Sequence, residues 1–194
     1  MACSSCDAER LYSDPQDRRV MRAASEVEAE YYGELNRIQE VIKFAQKLGY
    51  KKLGMAFCLA FSEEAAKISK VLSHYFEIST VNCKVCGVPK EELGAMRSER
   101  TGPISCNPVE QARLLAEAGT ELNLVLGLCV GHDALCIEHS HTLTVPLAAK
   151  DRVLAHNPMG AVYCSAIYNK MLKEAEKYEA EKQAQESRLN KLSG

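Results

Sequence analysis

The sequence predicts an α/β protein: a small parallel, Rossmann-like sheet of about four strands flanked by helices, with long helices at both ends. Three observations predict it. Strand-like and helix-like stretches alternate along the chain, the pattern of a parallel sheet covered by helices. The strand-like stretches are near-continuous apolar runs, which agrees with burial on both faces. The first long helical stretch carries apolar residues at steps of three and four, so that one face is apolar. The chain has 194 residues, a length that suits a single α/β domain, 1-194, with a core large enough to need no disulfide staples.

Residues 1-14 form a cysteine-bearing head, with Cys3 and Cys6 as a lone C-x-x-C. Asp14 then reads as a helix N-cap and Pro15 as a first helical residue. Val20, Ala24, Val27, Tyr31, Leu35, Ile38, Ile42 and Ala45 mark one helical face. Gly33 is placed to break it in two, and Gly49 to stop it. Leu53 to Cys58 reads as a short buried strand and Ser62 to Phe76 as an amphipathic helix, its first turn acidic at Glu63 and Glu64. A second strand runs from Ile78 to about Val85. The stretch from Gly87 to Pro103, rich in Gly, Pro and Arg, reads as a loop. Asn107-Pro108 opens a helix that Gly119 stops. Asn123 to Cys129 and Leu143 to Ala149 are the third and fourth strands, and Pro146 suits an edge position for the fourth. Asn157-Pro158 opens the last helix. Its apolar face fades after Met171, so 174-194 reads as a solvated helical tail.

The formal charge is -2, with 46% hydrophobic and 26% charged residues. That balance, without a basic stripe interleaved with aromatics, argues against nucleic acid as a partner. No apolar run reaches the ~18 residues of a membrane span, and the first residues have no apolar signal core. The expected place is therefore the cytoplasm. In a reducing compartment nine cysteines point to metal ligation or thiol chemistry, not to a disulfide framework.

Where the cysteines fall gives that expectation a site. Cys58, Cys86 and Cys129 end the first three expected strands. Parallel strands share one carboxyl rim, where α/β proteins place their sites, and neighbouring strands lie ~4.8 Å apart. Cys106 precedes a helix start on the same rim, where orphan N–H groups favour a thiolate. The candidate metal ligands are Cys58, Cys83, Cys86, Cys106, Cys129 and His132, with Cys83 and His132 as substitutes in a four-cysteine set. An iron–sulfur cluster suits all-thiolate ligation, and zinc suits the same set. Ser105-Cys-Asn-Pro108 has an echo in Ala155-His-Asn-Pro158, which brings in His156. Lys150-Asp151-Arg152 reads as an anion clamp or as a charged surface loop. Cys136 and Cys164, in apolar surroundings, read as core.

Two enzymatic alternatives stay open. One is an open iron–sulfur site with His132, Lys150 and Arg152 around a small sulfur-containing or anionic substrate. The other is a Cys129 nucleophile, set in Gly127-Leu-Cys-Val-Gly131 like the serine of a nucleophile elbow, with His132 or His156 as base. Self-association through the terminal helices is a further expectation.

Cys58, Cys83-Lys-Val-Cys86, Cys106-Asn-Pro108, Leu126-Gly-Leu-Cys-Val-Gly-His-Asp133 and Ala149-Lys-Asp-Arg-Val-Leu-Ala-His-Asn-Pro158 together resemble the metal-binding prokaryotic proteins grouped as domain of unknown function 1847. The resemblance runs from the helix after Pro15 to about Lys170. It implies metal binding without naming a reaction. Members of that group carry a longer cysteine-bearing head, of which this chain matches only Cys3 and Cys6.

Overall fold

The computed structural model describes residues 11–192. The chain divides into two compact units, Met1–Ala148 and Ala149–Gly194.

The first unit opens with α1 (Pro15–Tyr31), whose N-cap Asp14 accepts from the backbone N–H groups of Gln16 and Asp17. Gly33, at φ 73°, turns the chain into α2 (Arg37–Lys47). Asn36 and Gln39 close α2 with a reciprocal capping box. The expected break at Gly33 is therefore present. The elements that follow are β1 (Lys52–Phe57), a short 3-10 turn (Leu59–Phe61), α3 (Ser62–Leu72) and β2 (Glu77–Asn82). After them come α4 (Pro108–Glu117), β3 (Leu122–Leu126), α5 (His132–Glu138) and β4 (Leu143–Ala148).

All strand pairs are parallel, in the order β2-β1-β3-β4. Right-handed crossovers place α3 on one face of this sheet and α4 and α5 on the other. Leu53, Met55, Leu122, Leu124, Leu115 and Leu72 fill the core between the layers. The predicted fold class is the observed one. Because the chain winds one way from β1 and the other way from β3, the switch point of the sheet lies between those two strands.

Pro146 does lie on an edge strand. Its carbonyl oxygen accepts two hydrogen bonds from the Arg37 guanidinium, at 2.8 and 2.6 Å.

Several boundaries differ from the sequence reading, each for a local reason. β2 stops at Asn82 instead of Val85, because the Asn82 carboxamide accepts the N–H of Lys84 at 2.9 Å and turns the chain. β3 stops at Leu126 instead of Cys129, because Gly127 has φ 61° and cannot continue a strand. α3 ends at Leu72, short of Phe76. The helix α5 was not expected.

In the second unit a short helix, α6 (Gly160–Tyr163), precedes α7 (Ser165–Leu192). Extended backbone at Cys164 separates them. The single helix expected from Asn157-Pro158 is thus two, and Cys164 is exposed, not core. α7 is exposed along 174–186.

Candidate functional site

The register places the first two thiols. Phe57 pairs with Asn82 on one side and Leu126 on the other. The residues one step beyond are Cys58, Cys83 and Gly127, so two of the three rim positions carry thiols. Both are buried, Cys58 at 8% and Cys83 at 2% exposure. The N–H of Cys58 donates to the carbonyl of Leu126, which anchors this end of β1 to β3.

The third sulfur arrives through the long connection after β2. The chain leaves the strand at Cys83, makes an excursion and returns antiparallel to itself. An isolated bridge between Pro89 and Ile104, the Ser105 N–H to Val88 carbonyl bond at 2.7 Å, and the Lys84 Nζ to Ile104 carbonyl bond at 2.6 Å zip its base. This returns Cys106 to the side of Cys83, where the next N–H, from Asn107, donates to the Cys83 carbonyl at 2.9 Å.

Cys58, Cys83 and Cys106 thus meet over the carboxyl ends of β1 and β2. Cys106 and Cys58 both lie close enough to act on the Cys83 thiol through space. Burial, first of all, and these two neighbouring thiols push the Cys83 thiol up to about 12, against the N–H of Leu59, which donates to its sulfur at 3.4 Å. In the metal-free protein Cys83 is protonated at neutral pH. Burial also pushes Cys136 up, to about 11. Cys136 is a core residue, as expected.

Cys83 and Cys86 part company. The turn at Asn82 carries Cys86 to the surface in left-handed backbone, φ 42°, a conformation unusual for a residue with a side chain. It lies near the Glu110 carboxylate, which Arg113 first and Cys86 after it hold below the usual carboxylate range. Cys86 therefore does not end a strand. Cys129 does not end one either: it lies in the loop three residues past β3, half-buried, and its carbonyl accepts the N–H groups of His132 and Asp133. His132 is the first residue of α5, after Gly131 at φ 86°. Cys129 and His132 belong to the β3 side of the switch point, and the three grouped thiols to the β1–β2 side.

Lys150, Arg152 and His156 belong to the second unit. There Asp151 forms a turn, its carboxylate accepting the N–H groups of Val153 and Leu154. The N–H of Asp151 donates to His156 Nδ1 at 3.2 Å, and Ala155 and His156 are both in left-handed backbone. Cys3 and Cys6 lie outside the described residues.

Three residues that the sequence reading did not assign to the site hold it. Asn107 joins its two halves: it caps α4 by accepting the Glu110 N–H, and its Nδ2 donates to the Cys86 carbonyl at 2.9 Å. Gln111, fully buried, donates from Nε2 to the carbonyls of Phe57 and Val81, tying the ends of β1 and β2 together just below the thiols. Phe61 stacks on Gly127 at the same rim. Gln111 had a signal in the sequence, being a polar residue on the apolar stripe Pro108, Ala112, Leu115.

Open grooves border the rim. One of about 500 Å³ runs under α3 and reaches Phe57, next to Cys58, and one of about 400 Å³ reaches Phe61 and Leu126. Among the described residues no group of three or more His, Cys, Asp or Glu side chains is set as a ready-made metal cage. None of the described cysteines is in a disulfide. No helix among the described residues is long and apolar enough to cross a membrane.

A family model described as protein of unknown function, DUF1847, matches residues 4–147. The chain belongs to DUF1847. The match covers every cysteine of the rim and stops at the end of β4. An uncharacterized protein of Methanocaldococcus jannaschii is 38% identical to this DUF1847 chain over 162 residues, 83% of this chain and 84% of that protein. No solved structure matches.

Proposed function

We propose that the chain is a cytoplasmic metal-binding protein whose centre forms on Cys58, Cys83 and Cys106 at the carboxyl rim, with Cys129 or Cys86 as the further thiol and zinc or an iron–sulfur cluster as occupant. The observation that carries this reading is the convergence of three sulfurs from separate segments, two of them buried. Soft thiolates favour a thiophilic metal. A metal bound there supplies the positive charge that keeps these sulfurs deprotonated. The residues around it have defined tasks. The Leu59 N–H holds charge on Cys83, Asn107 fixes Cys106 relative to the Cys83–Cys86 turn, and Gln111 sets the spacing of the two strand ends. The cage is completed on binding, which fits thiols that are grouped but not yet arranged around an ion. A reducing cytoplasm keeps such thiols available.

The test is metal content and visible absorption of the full-length protein purified without oxygen, beside a C58S/C83S/C106S variant of the same chain. Stoichiometric zinc without colour, or iron with cluster absorption, lost in the variant, supports the reading. Metal at trace level in the wild-type protein, or bound equally by the variant, refutes it.

A further inference from the structure

We propose that Cys83 and Cys106 are a reversible dithiol–disulfide couple that exchanges with low-molecular-weight disulfides. The inference does not rest on the metal reading: it needs only the two sulfurs and the fold that pairs them.

Four observations carry it. The two thiols lie close enough to act on each other through space. Their backbones are clamped side by side by the Asn107 N–H to Cys83 carbonyl bond, an arrangement suited to the Cα separation of about 4.4–6.8 Å that a disulfide spans. The zipped base of the excursion holds both halves in register. Exposure differs in the useful sense: Cys106 is half-buried and meets a reagent first, whereas Cys83, at 2%, is reached only from inside.

The exchange has two steps. The Cys106 thiol loses its proton and its sulfur attacks glutathione disulfide, forming a mixed disulfide and releasing one glutathione thiol. Cys83 then loses its proton and attacks the Cys106 sulfur. The mixed disulfide breaks, the Cys83–Cys106 bond forms and the second glutathione leaves as thiol. Two protein thiols lose two electrons and one small disulfide gains them. Cys86 is not the partner, although Cys83-Lys-Val-Cys86 reads as a C-x-x-C, because its thiol faces Glu110. Cys58, at 8% exposure, is less open to a reagent than Cys106.

The sequence makes the pair easy to map. Trypsin releases Cys83 in the peptide ending at Lys84, Cys86 in the peptide ending at Lys90, Cys106 in the peptide ending at Arg113 and Cys58 in the peptide ending at Lys67. Full-length protein, with and without a chelator, is equilibrated in glutathione buffers of graded redox poise, alkylated and digested without reduction. The expected result is a Cys83–Cys106 crosslink that rises with the oxidised fraction and reverses on reduction. In C83S, glutathione accumulates on Cys106 instead. A crosslink only after chelation supports both this couple and the metal reading. A crosslink equal with and without chelator supports the couple and removes these sulfurs from the metal site. Absence of the crosslink under chelator, or a Cys58–Cys83 or Cys83–Cys86 link in its place, overturns the proposal.

Discussion

Replacing Gly127 by Ala tests how the rim is built. Gly127 occupies left-handed backbone at φ 61°, and a Cβ there overlaps the Phe61 ring. Left-handed backbone costs a residue with a side chain about 1–2 kcal/mol. Forcing a methyl into packed surroundings adds about 1–3 kcal/mol, for a total of about 2–5. Gly131 is the internal control. It is also left-handed, at φ 86°, but a Cβ there meets nothing within 4 Å, so Gly131→Ala costs the backbone term alone, about 1–2 kcal/mol. In a chain of this size each kcal/mol lowers the melting temperature by about 2–4 °C. Gly127→Ala should therefore melt roughly 5–15 °C below wild type, well below Gly131→Ala. Urea denaturation of the full chain gives the same comparison as free energies. In a Phe61→Ala background the excess at Gly127 should vanish. The effect should reach the thiols too, because Gly127 and Cys58 both bond to the strand ends around Leu126 and Ala148: Cys58 should alkylate faster in Gly127→Ala. Equal destabilisation by the two alanines would refute the packing of Phe61 on Gly127.

The remaining predictions concern titration. Glu121 accepts the backbone N–H groups of Lys51 and Lys52, which hold its carboxyl below the ordinary value of 4.5. A depressed folded-state pKa gives stability that is present above the ordinary value and lost as the pH falls through the folded one. Glu121→Gln should thus flatten the acid limb of the stability–pH curve below about pH 4.5 and leave the slope above pH 6 unchanged; an unaltered acid limb would contradict this. Iodoacetamide at pH 8 should label the exposed Cys86 and Cys164 first and Cys83 last in chelator-treated protein, with Cys83 gaining reactivity only towards pH 12. Early labelling of Cys83 at pH 8, read by peptide mass, would count against its burial among thiols.

The sheet was legible because its signals are local. Unbroken apolar runs such as Leu53 to Phe57 bury on both faces, and the Asp14, Asn107 and Gly33 punctuation sits where the backbone needs it. The site was half legible for the same reason. That thiols gather at strand ends follows from a parallel sheet, and Cys58 and Cys106 follow from it directly. Which of Cys83 and Cys86 points inward depends on where β2 stops, and a single side-chain bond, Asn82 to the Lys84 N–H, decides that. Counting the strand to Val85 put Cys86 at the rim, whereas the turn puts Cys83 there. Cys129 was displaced likewise by Gly127, whose left-handed backbone ends β3 early. Cys83 and Cys106 were both candidates, but what brings Cys106 back beside Cys83 has no local signal, because it depends on non-local bonds between Val88 and Ser105 and between Lys84 and Ile104.

Pro146 and Arg37 have a consequence beyond their own contact. A parallel strand seeking to add itself along β4 must find a donor and an acceptor pointing outward. At Pro146 the ring nitrogen has no hydrogen to give, and the oxygen already serves the Arg37 guanidinium. That flank of the sheet is closed to templated growth, so a fibril or a swapped dimer propagating through β4 would first have to strip the arginine away.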